Sequence, residues 1–255
     1  MTILELNNVC KNFGGLKAID SVSFGVAQSS IFGLIGPNGA GKTTLFNLIT
    51  ANLKLTSGTI CFMGKPIDSK PHKVVCNGIA RTFQNIRLFD SSVLENVLVG
   101  LHHSLHYSFL EAAFRFGRFF REEQKAYKRA LEILDYVKIV DFAHTNARTL
   151  SYGQQRKVEI ARALACAPKL LLLDEPAAGM NTSETDELAS LLHAIRKDFA
   201  LTLLLIEHDM PFVNRLCEQV VVLDYGKVLF NGTPKEAISN QDVITAYLGI
   251  QETSC

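Results

Sequence analysis

The chain has 255 residues, 47% of them hydrophobic, and its 26 Lys and Arg against 25 Asp and Glu leave a formal net charge of +1. Such a balance argues against broad binding of nucleic acid, which needs a surplus of positive charge, and leaves room only for a local basic patch. No apolar run approaches the ~18 residues a transmembrane helix needs, so the chain is expected not to span a bilayer, although it can dock on a protein that does.

The opening "MTILELNNV" alternates like a strand, and no signal peptide is expected there. "ILELNNV" (3–9) and "SVSFGVA" (21–27) alternate apolar and polar residues as half-buried strands do. "IFGLIG" (31–36) is a short apolar run ending in glycine, a buried strand entering a turn. "KTTLFNLITANL" (42–53) predicts a helix and "GTICFMG" (58–64) a further strand. From about 92 to 164 the pattern is mostly helical, starting with a capping box from Ser92 to Glu95. Strand signals return at "KLLLLD" (169–174), "LTLLLIE" (201–207) and "QVVVLD" (219–224), with helical stretches near 184–198 and 209–217 between them. Buried strands alternating with helices indicate an α/β domain with a largely parallel sheet, into which the helical middle is inserted. No repeat, linker or separate second domain is visible. The six Cys (10, 61, 76, 166, 217, 255) are scattered without a C-x-x-C pair, as expected of reduced thiols in a cytosolic protein.

Residues 36–43 read Gly36-Pro37-Asn38-Gly39-Ala40-Gly41-Lys42-Thr43, a match to G-x-x-x-x-G-K-[ST] between an apolar strand and a helix. The glycines let backbone N–H groups converge on phosphate oxygens, Lys42 reaches the outer phosphates, and the Thr43 hydroxyl suits Mg²⁺. Thr44 extends this set. The competing reading, a glycine-rich turn with an incidental Lys, does not account for the strand–loop–helix setting.

The strand Leu170–Leu173 then delivers Asp174 and Glu175. Asp174 would hold Mg²⁺, and Glu175 would polarise an attacking water as general base. An Asp-Glu pair after a strand is common by itself; with the phosphate loop it points to nucleotide hydrolysis. His208 closes "LLLIEH", where side-chain alternation sends Glu207 and His208 opposite ways. A lone His at a strand end is ordinarily structural, but a strand lying beside that of Asp174 would bring His208 to the γ-phosphate. Gln84, in "RTFQN", offers a polar contact to Mg²⁺ or water where strand gives way to the helical insertion. Finally, "LSYGQQRKVEIARAL" (150–164) sets Ser151 and Gly153 at the head of a helix, a second end suited to an anion.

These elements occur together and in the order of the ATP-binding cassette (ABC) ATPases, and the chain resembles that family over nearly its whole length. "GPNGAGKTT" resembles the Walker A loop, Gln84 the Q-loop, "LSYGQ" the signature motif, "LLLLDEP" Walker B, "AGMN" (178–181) the D-loop and His208 the switch histidine. The resemblance implies a RecA-like core (about 1–84 and 163–255), an antiparallel β subdomain and an inserted helical subdomain (about 85–162). It implies ATP and Mg²⁺ as cofactors. Glu175, His208 and Gln84 would be catalytic; Thr43, Gln84 and Asp174 would serve the metal. Phe13, Gly36 to Thr44, and Ser151, Gly153 and Gln154 would hold the nucleotide, the last three closing over the γ-phosphate from a second subunit. That head-to-tail pairing answers why one chain carries two anion-facing helix ends. Three positions depart from the commonest pattern: Tyr152 for a glycine, Asn181 for Asp and Phe13 for Tyr at the adenine-stacking position.

A narrower resemblance lies in "FGGLKAID" (13–20), "ARTFQNIRLF" (80–89), "VLENVLVG" (93–100), "LDEPAAGMN" (173–181), "LLIEHDM" (204–210) and "VITAYLG" (243–249). These are similar to the LivG-type ATPases of branched-chain amino acid importers; urea or amide importers and the lipopolysaccharide-export ATPase are close alternatives. The resemblance implies a second ATPase subunit, membrane permeases, an indirect periplasmic binding protein and a peripheral place on the cytoplasmic face of the inner membrane. "RTFQNIRLF" would receive a permease helix, and "FRFGRFFREEQKAYKR" (114–129) would form an amphipathic helix on its own domain. A soluble ABC ATPase acting on nucleic acid or ribosomes usually has two cassettes or a long coiled coil, absent here. A non-hydrolysing sensor would not need Glu175 and His208.

Overall fold

Strands β1 (Thr2–Phe13) and β2 (Leu16–Ala27) form a hairpin across Gly14-Gly15 in the computed structural model, which describes residues 1–102, 111 and 118–248. Both strands run longer than alternation predicts. The register slips between Leu6 and Val9 and again around Lys11, and such bulges break the two-residue period while pairing continues to Phe13↔Leu16. β4 (Ser57–Phe62) and β5 (Lys65–Pro66) complete an antiparallel sheet of order β2-β1-β4-β5. A second sheet has the order β10-β9-β3-β8-β7-β6. Its strands are β3 (Ile31–Ile35), β6 (Ile79–Arg81), β7 (Leu170–Asp174), β8 (Thr202–Ile206), β9 (Gln219–Asp224) and β10 (Lys227–Gly232). All its pairings are parallel except the β9–β10 hairpin. β3, β7 and β8 are buried at every position, so their apolar runs need no alternation.

The chain divides into two compact units: Met1–Arg81 with the chain from Lys169 onward, and Thr82–Pro168. The first holds both sheets and helices α1 (Lys42–Ile49), α2 (Pro71–Cys76), α6 (Thr182–Asp198), α7 (Met210–Leu216), α8 (Pro234–Ser239) and α9 (Gln241–Leu248). One core joins the antiparallel sheet (Leu4, Leu6, Phe24), α1 (Leu45, Phe46, Ile49) and one face of the parallel sheet (Leu170, Leu172, Leu204). α1 stops at Ile49 rather than 53 because Thr50 caps it and Ala51 turns left-handed, with φ 55°. α6 starts at a capping box in which the Asn181 side chain accepts the Glu184 N–H (3.0 Å) and Glu184 accepts the Asn181 N–H (3.0 Å). An amide oxygen serves that purpose as well as a carboxylate, so Asn181 fits where Asp is common.

The second unit carries α3 (Val93–Leu101), α4 (Arg118–Tyr136) and α5 (Tyr152–Ala165). The Ser92–Glu95 capping box forms as expected. α3 approaches α5 closely because Gly100 has no side chain; a Cβ there would lie 2.3 Å from the Arg162 carbonyl oxygen. α4 is amphipathic, burying Ala126, Ala130, Ile133 and Leu134. Residues 114–117 of the Phe- and Arg-rich stretch lie outside the described residues. Cys10, Cys61, Cys76, Cys166 and Cys217 are free thiols, and among the described residues no helix is long and apolar enough to cross a membrane.

Candidate nucleotide site

The loop 36–41 joins β3 to α1. Its first residue must be glycine: Gly36 has φ 144°, and a Cβ would fall 2.1 Å from the Leu223 carbonyl oxygen. The Gly36 N–H donates to the Tyr247 hydroxyl on α9 at 2.8 Å. Lys42 is buried, and its ammonium donates to the Gly36 and Pro37 carbonyls at 2.7 and 2.9 Å. Burial lowers its pKa from the ordinary lysine value, against the pull of Glu175 and Asp174. The cation therefore sits curled into its own loop beside two carboxylates. Ala40 is buried, while Asn38, Gly39 and Thr43 are exposed and Thr44 is half-buried. Phe13 ends β1, 46% exposed, with the Lys11 ammonium 4.9 Å from its ring centroid.

β7 and β8 are parallel neighbours, with Asp174 opposite Ile206. The strand of His208 thus lies beside that of Asp174, as expected. Asp174 is buried and paired with Arg81 at 2.7 Å. Glu175 leaves the strand with φ 45°, its N–H donating to the Ile206 carbonyl at 3.0 Å. A left-handed non-glycine residue costs about 1–2 kcal/mol, which the surrounding strand ends sustain here. β8 ends at Ile206, so the expected opposition of the next two side chains is not met: His208 Nδ1 lies 4.0 Å from a Glu207 carboxylate oxygen, because strand alternation stops with the strand. Glu207 is buried, and its carboxylate accepts the Ala177 N–H (2.9 Å) and the His208 N–H (3.2 Å). Burial raises its pKa against those bonds. The His208 side chain is 61% exposed, with Nδ1 3.8 Å from a Glu175 carboxylate oxygen.

Ser151, Gly153, Gln154 and Gln84 belong to the second unit. Ser151 caps α5: its hydroxyl accepts the Gln154 N–H (3.4 Å), and the Gln154 side chain accepts the Ser151 N–H (3.1 Å). Arg156, fully buried on the same helix, donates to the carbonyls of Phe83 (2.8 Å) and Gln84 (3.1 Å) and pairs with Glu159 at 2.7 Å. Glu159 in turn accepts the Phe83 N–H at 3.1 Å. The helix headed by Ser151 thereby grips the backbone of the Gln84 segment. Arg156 also reaches the Tyr152 hydroxyl (3.3 Å), which gives this departure from glycine a partner.

The structure thus brings the phosphate loop, Asp174, Glu175 and His208 together in one unit, and Gln84 with the Ser151 helix in the other. Arg81, Glu207, Tyr247, Arg156 and Glu159 escape sequence reasoning about the site. Their only signal is an ionisable or phenolic group beside a motif, and burial is what gives it meaning.

A phosphate loop between a buried strand and a helix, with carboxylates at the end of a parallel strand near its lysine, defines a P-loop nucleotide-binding protein. A family model described as "ABC transporter" matches residues 19–178, and the chain belongs to that family. It is 44% identical over 97% of its length, and 98% of the relative's, to the high-affinity branched-chain amino acid transport ATP-binding protein BraF of Pseudomonas aeruginosa. It is 41% identical, with the same coverage, to the corresponding protein LivG of Escherichia coli. Among solved structures, an ABC-transporter ATP-binding cassette in its ADP conformation matches with TM-score 0.85 and 34% identity, covering 98% of this chain and 100% of that one. A dimeric cassette in a post-hydrolysis state, bound to ADP and Pi, matches with TM-score 0.76 and 26% identity over 91% and 99% of the two chains. The protein is an ABC ATPase, a nucleotide-hydrolysing cassette of a transport system, and the expected fold class stands.

Proposed function

We propose that the chain powers a membrane importer for branched-chain amino acids, as one of two ATPase subunits docked peripherally beneath permeases on the cytoplasmic face of the inner membrane. A periplasmic binding protein would deliver the solute, and no nucleic acid is involved. The observation that carries the solute class is the 41–44% identity, over 97% of the chain, to ATP-binding proteins named for that transport. Exposed Gln84, Asn85, Arg87 and Phe89 supply the permease-docking surface in the second unit, which we read as the helical subdomain.

Mg²⁺ fits the residues present. The Thr43 hydroxyl and the Asp174 carboxylate are hard oxygen donors, and the Arg81 contact takes only Oδ2 of Asp174. Gln84 would add an amide oxygen once the nucleotide is bound. The metal neutralises phosphate charge when bound. Lys42 exchanges its two loop carbonyls for the outer phosphates, and the loop N–H groups cradle them. Phe13 stacks on the base. Glu175 accepts a proton from the attacking water, and His208, beside it, contacts the γ-phosphate. Ser151, Gly153 and Gln154 of a second subunit close the site.

The test is to copurify the chain with its permeases and measure labelled leucine uptake by proteoliposomes loaded with ATP. ATP-dependent uptake that leucine, isoleucine and valine compete for is expected. Uptake of urea or short amides instead would overturn the solute assignment.

A further inference from the structure

We propose that Arg81 is a positioning residue for the divalent cation that accompanies the nucleotide, acting by fixing the Asp174 carboxylate; this rests on the reading of Asp174 as a metal ligand. Arg81 is the last residue of β6, at the sheet edge, paired in register with Leu172 of β7. Two residues further along β7 lies Asp174. The guanidinium spans two elements. Nη2 donates to Oδ2 of Asp174 at 2.7 Å, and Nη1 donates to Oδ1 of Asn47 on α1 at 2.6 Å. Its central carbon lies 5.4 Å from the ring centroid of Phe46, also on α1. Only 7% of the Arg81 side chain and 5% of that of Asp174 are exposed.

This geometry has two consequences. A planar fork has fixed angles between its donors, so binding Asn47 and Asp174 together sets where the carboxylate stands relative to α1. α1 is the helix that starts with Lys42 and Thr43. Arg81 therefore sets the spacing between the Asp174 oxygen left over, Oδ1, and the Thr43 hydroxyl. Mg²⁺ demands near-ideal octahedral geometry, so that spacing matters more than for a tolerant cation. The second consequence concerns competition. A guanidinium held by Asp174 alone would be displaced by an arriving metal, whereas Asn47 and Phe46 hold this one independently of the carboxylate. It stays in place and orients Asp174.

The test measures metal affinity without turnover. Mn²⁺ replaces Mg²⁺, and its free fraction is read by electron paramagnetic resonance in the presence of saturating ADP. Loss of a group that orients a metal ligand typically weakens metal affinity about 10- to 100-fold. Arg81→Met should therefore weaken Mn²⁺ binding about tenfold, at the low end of that range, with metal-free ADP affinity and the folded circular dichroism spectrum retained. Arg81→Lys keeps charge without the fork and should fall between wild type and Arg81→Met. Asn47→Ala, which frees one arm of the fork, should shift affinity in the same direction by less. Unchanged or tighter Mn²⁺ binding in folded Arg81→Met overturns the proposal, the tighter result marking the guanidinium as a competitor. Should Arg81→Met not fold, unchanged affinity in both Arg81→Lys and Asn47→Ala overturns it equally. Asp174→Asn separates the two levels. If it weakens Mn²⁺ binding while the Arg81 variants do not, the role of Arg81 alone fails. If it leaves Mn²⁺ binding intact, the reading of Asp174 as a ligand fails.

Discussion

Glu175 stands where β7 gives way to a left-handed turn, 3.8 Å from His208, with 19% of its side chain exposed against 5% for Asp174. A carboxylate left that accessible to a water suits a general base, whereas its buried neighbours Asp174 and Glu207 serve as an oriented acceptor and as a brace for two loop N–H groups. Burial and partners thus set these three acidic residues apart. Glu175→Gln keeps size and geometry but weakens the acceptor for the water's proton, so steady-state ATP turnover should fall by about 10²-fold or more. ATP binding should persist, and gel filtration with ATP should show an accumulated dimer. Wild-type turnover in this variant would remove Glu175 from the chemistry.

At the scale of elements, α5 does more than present its N-terminus. Its Arg156–Glu159 pair is buried and also bonds to the backbone of residues 83 and 84, which ties the helix to the Gln84 segment. Burial pushes the Glu159 carboxyl above its usual range, against the pull of Arg156. Arg156→Met removes the ion-pair partner of that carboxylate, leaving it the Phe83 N–H and the charge of Arg162, and should destabilise the fold by about 3 kcal/mol near pH 7. The loss should depend on pH in a defined direction. With its folded pKa raised further, Glu159 is neutral in both states below its unfolded pKa, and the penalty is small there. The penalty grows as pH rises toward the folded pKa and then levels off. Urea unfolding of wild type and variant between pH 4.5 and about 8 checks this window; a difference that widens on acidification would contradict it.

The whole molecule raises the question of its two anion-facing helix ends, at residue 42 in one unit and residue 152 in the other. A solved cassette of similar fold is a dimer. In a head-to-tail pair, the loop of one chain and the Ser151 helix of the other would close on the same γ-phosphate, where the helix dipole and N–H groups favour negative charge. Lys42→Ala and Ser151→Arg chains should each fail to trap ATP as homodimers. Their mixture regains one intact site, built from the loop of the Ser151→Arg chain and the signature of the Lys42→Ala chain. ATP occlusion is the measurement, since turnover can require both sites. A mixture with demonstrable heterodimers that traps no more than its components would rule out the action of Ser151 across subunits.

What the sequence determined by itself is what local chemistry dictates. The phosphate loop is legible because glycines, Lys42 and Thr43 have fixed spacing between an apolar strand and a helix. The buried strands β3, β7 and β8 are legible because full burial demands unbroken apolar runs. The Ser92–Glu95 box is legible because capping involves residues only three apart. What tertiary structure alone decided lies between elements distant in the chain. Arg81 acquires meaning from Asn47 and Asp174, Tyr247 from the Gly36 N–H, and Arg156 from the carbonyls at 83 and 84. β10, at the sheet edge, alternates exposed and half-buried positions, but Val228, Leu229 and Phe230 put apolar residues on both faces and hide the period, while bulges hide it at the ends of β1 and β2. A buried ion pair leaves no periodic trace either. Its two members are single polar residues in sequence, and only the exclusion of water around them turns their attraction into a constraint on geometry.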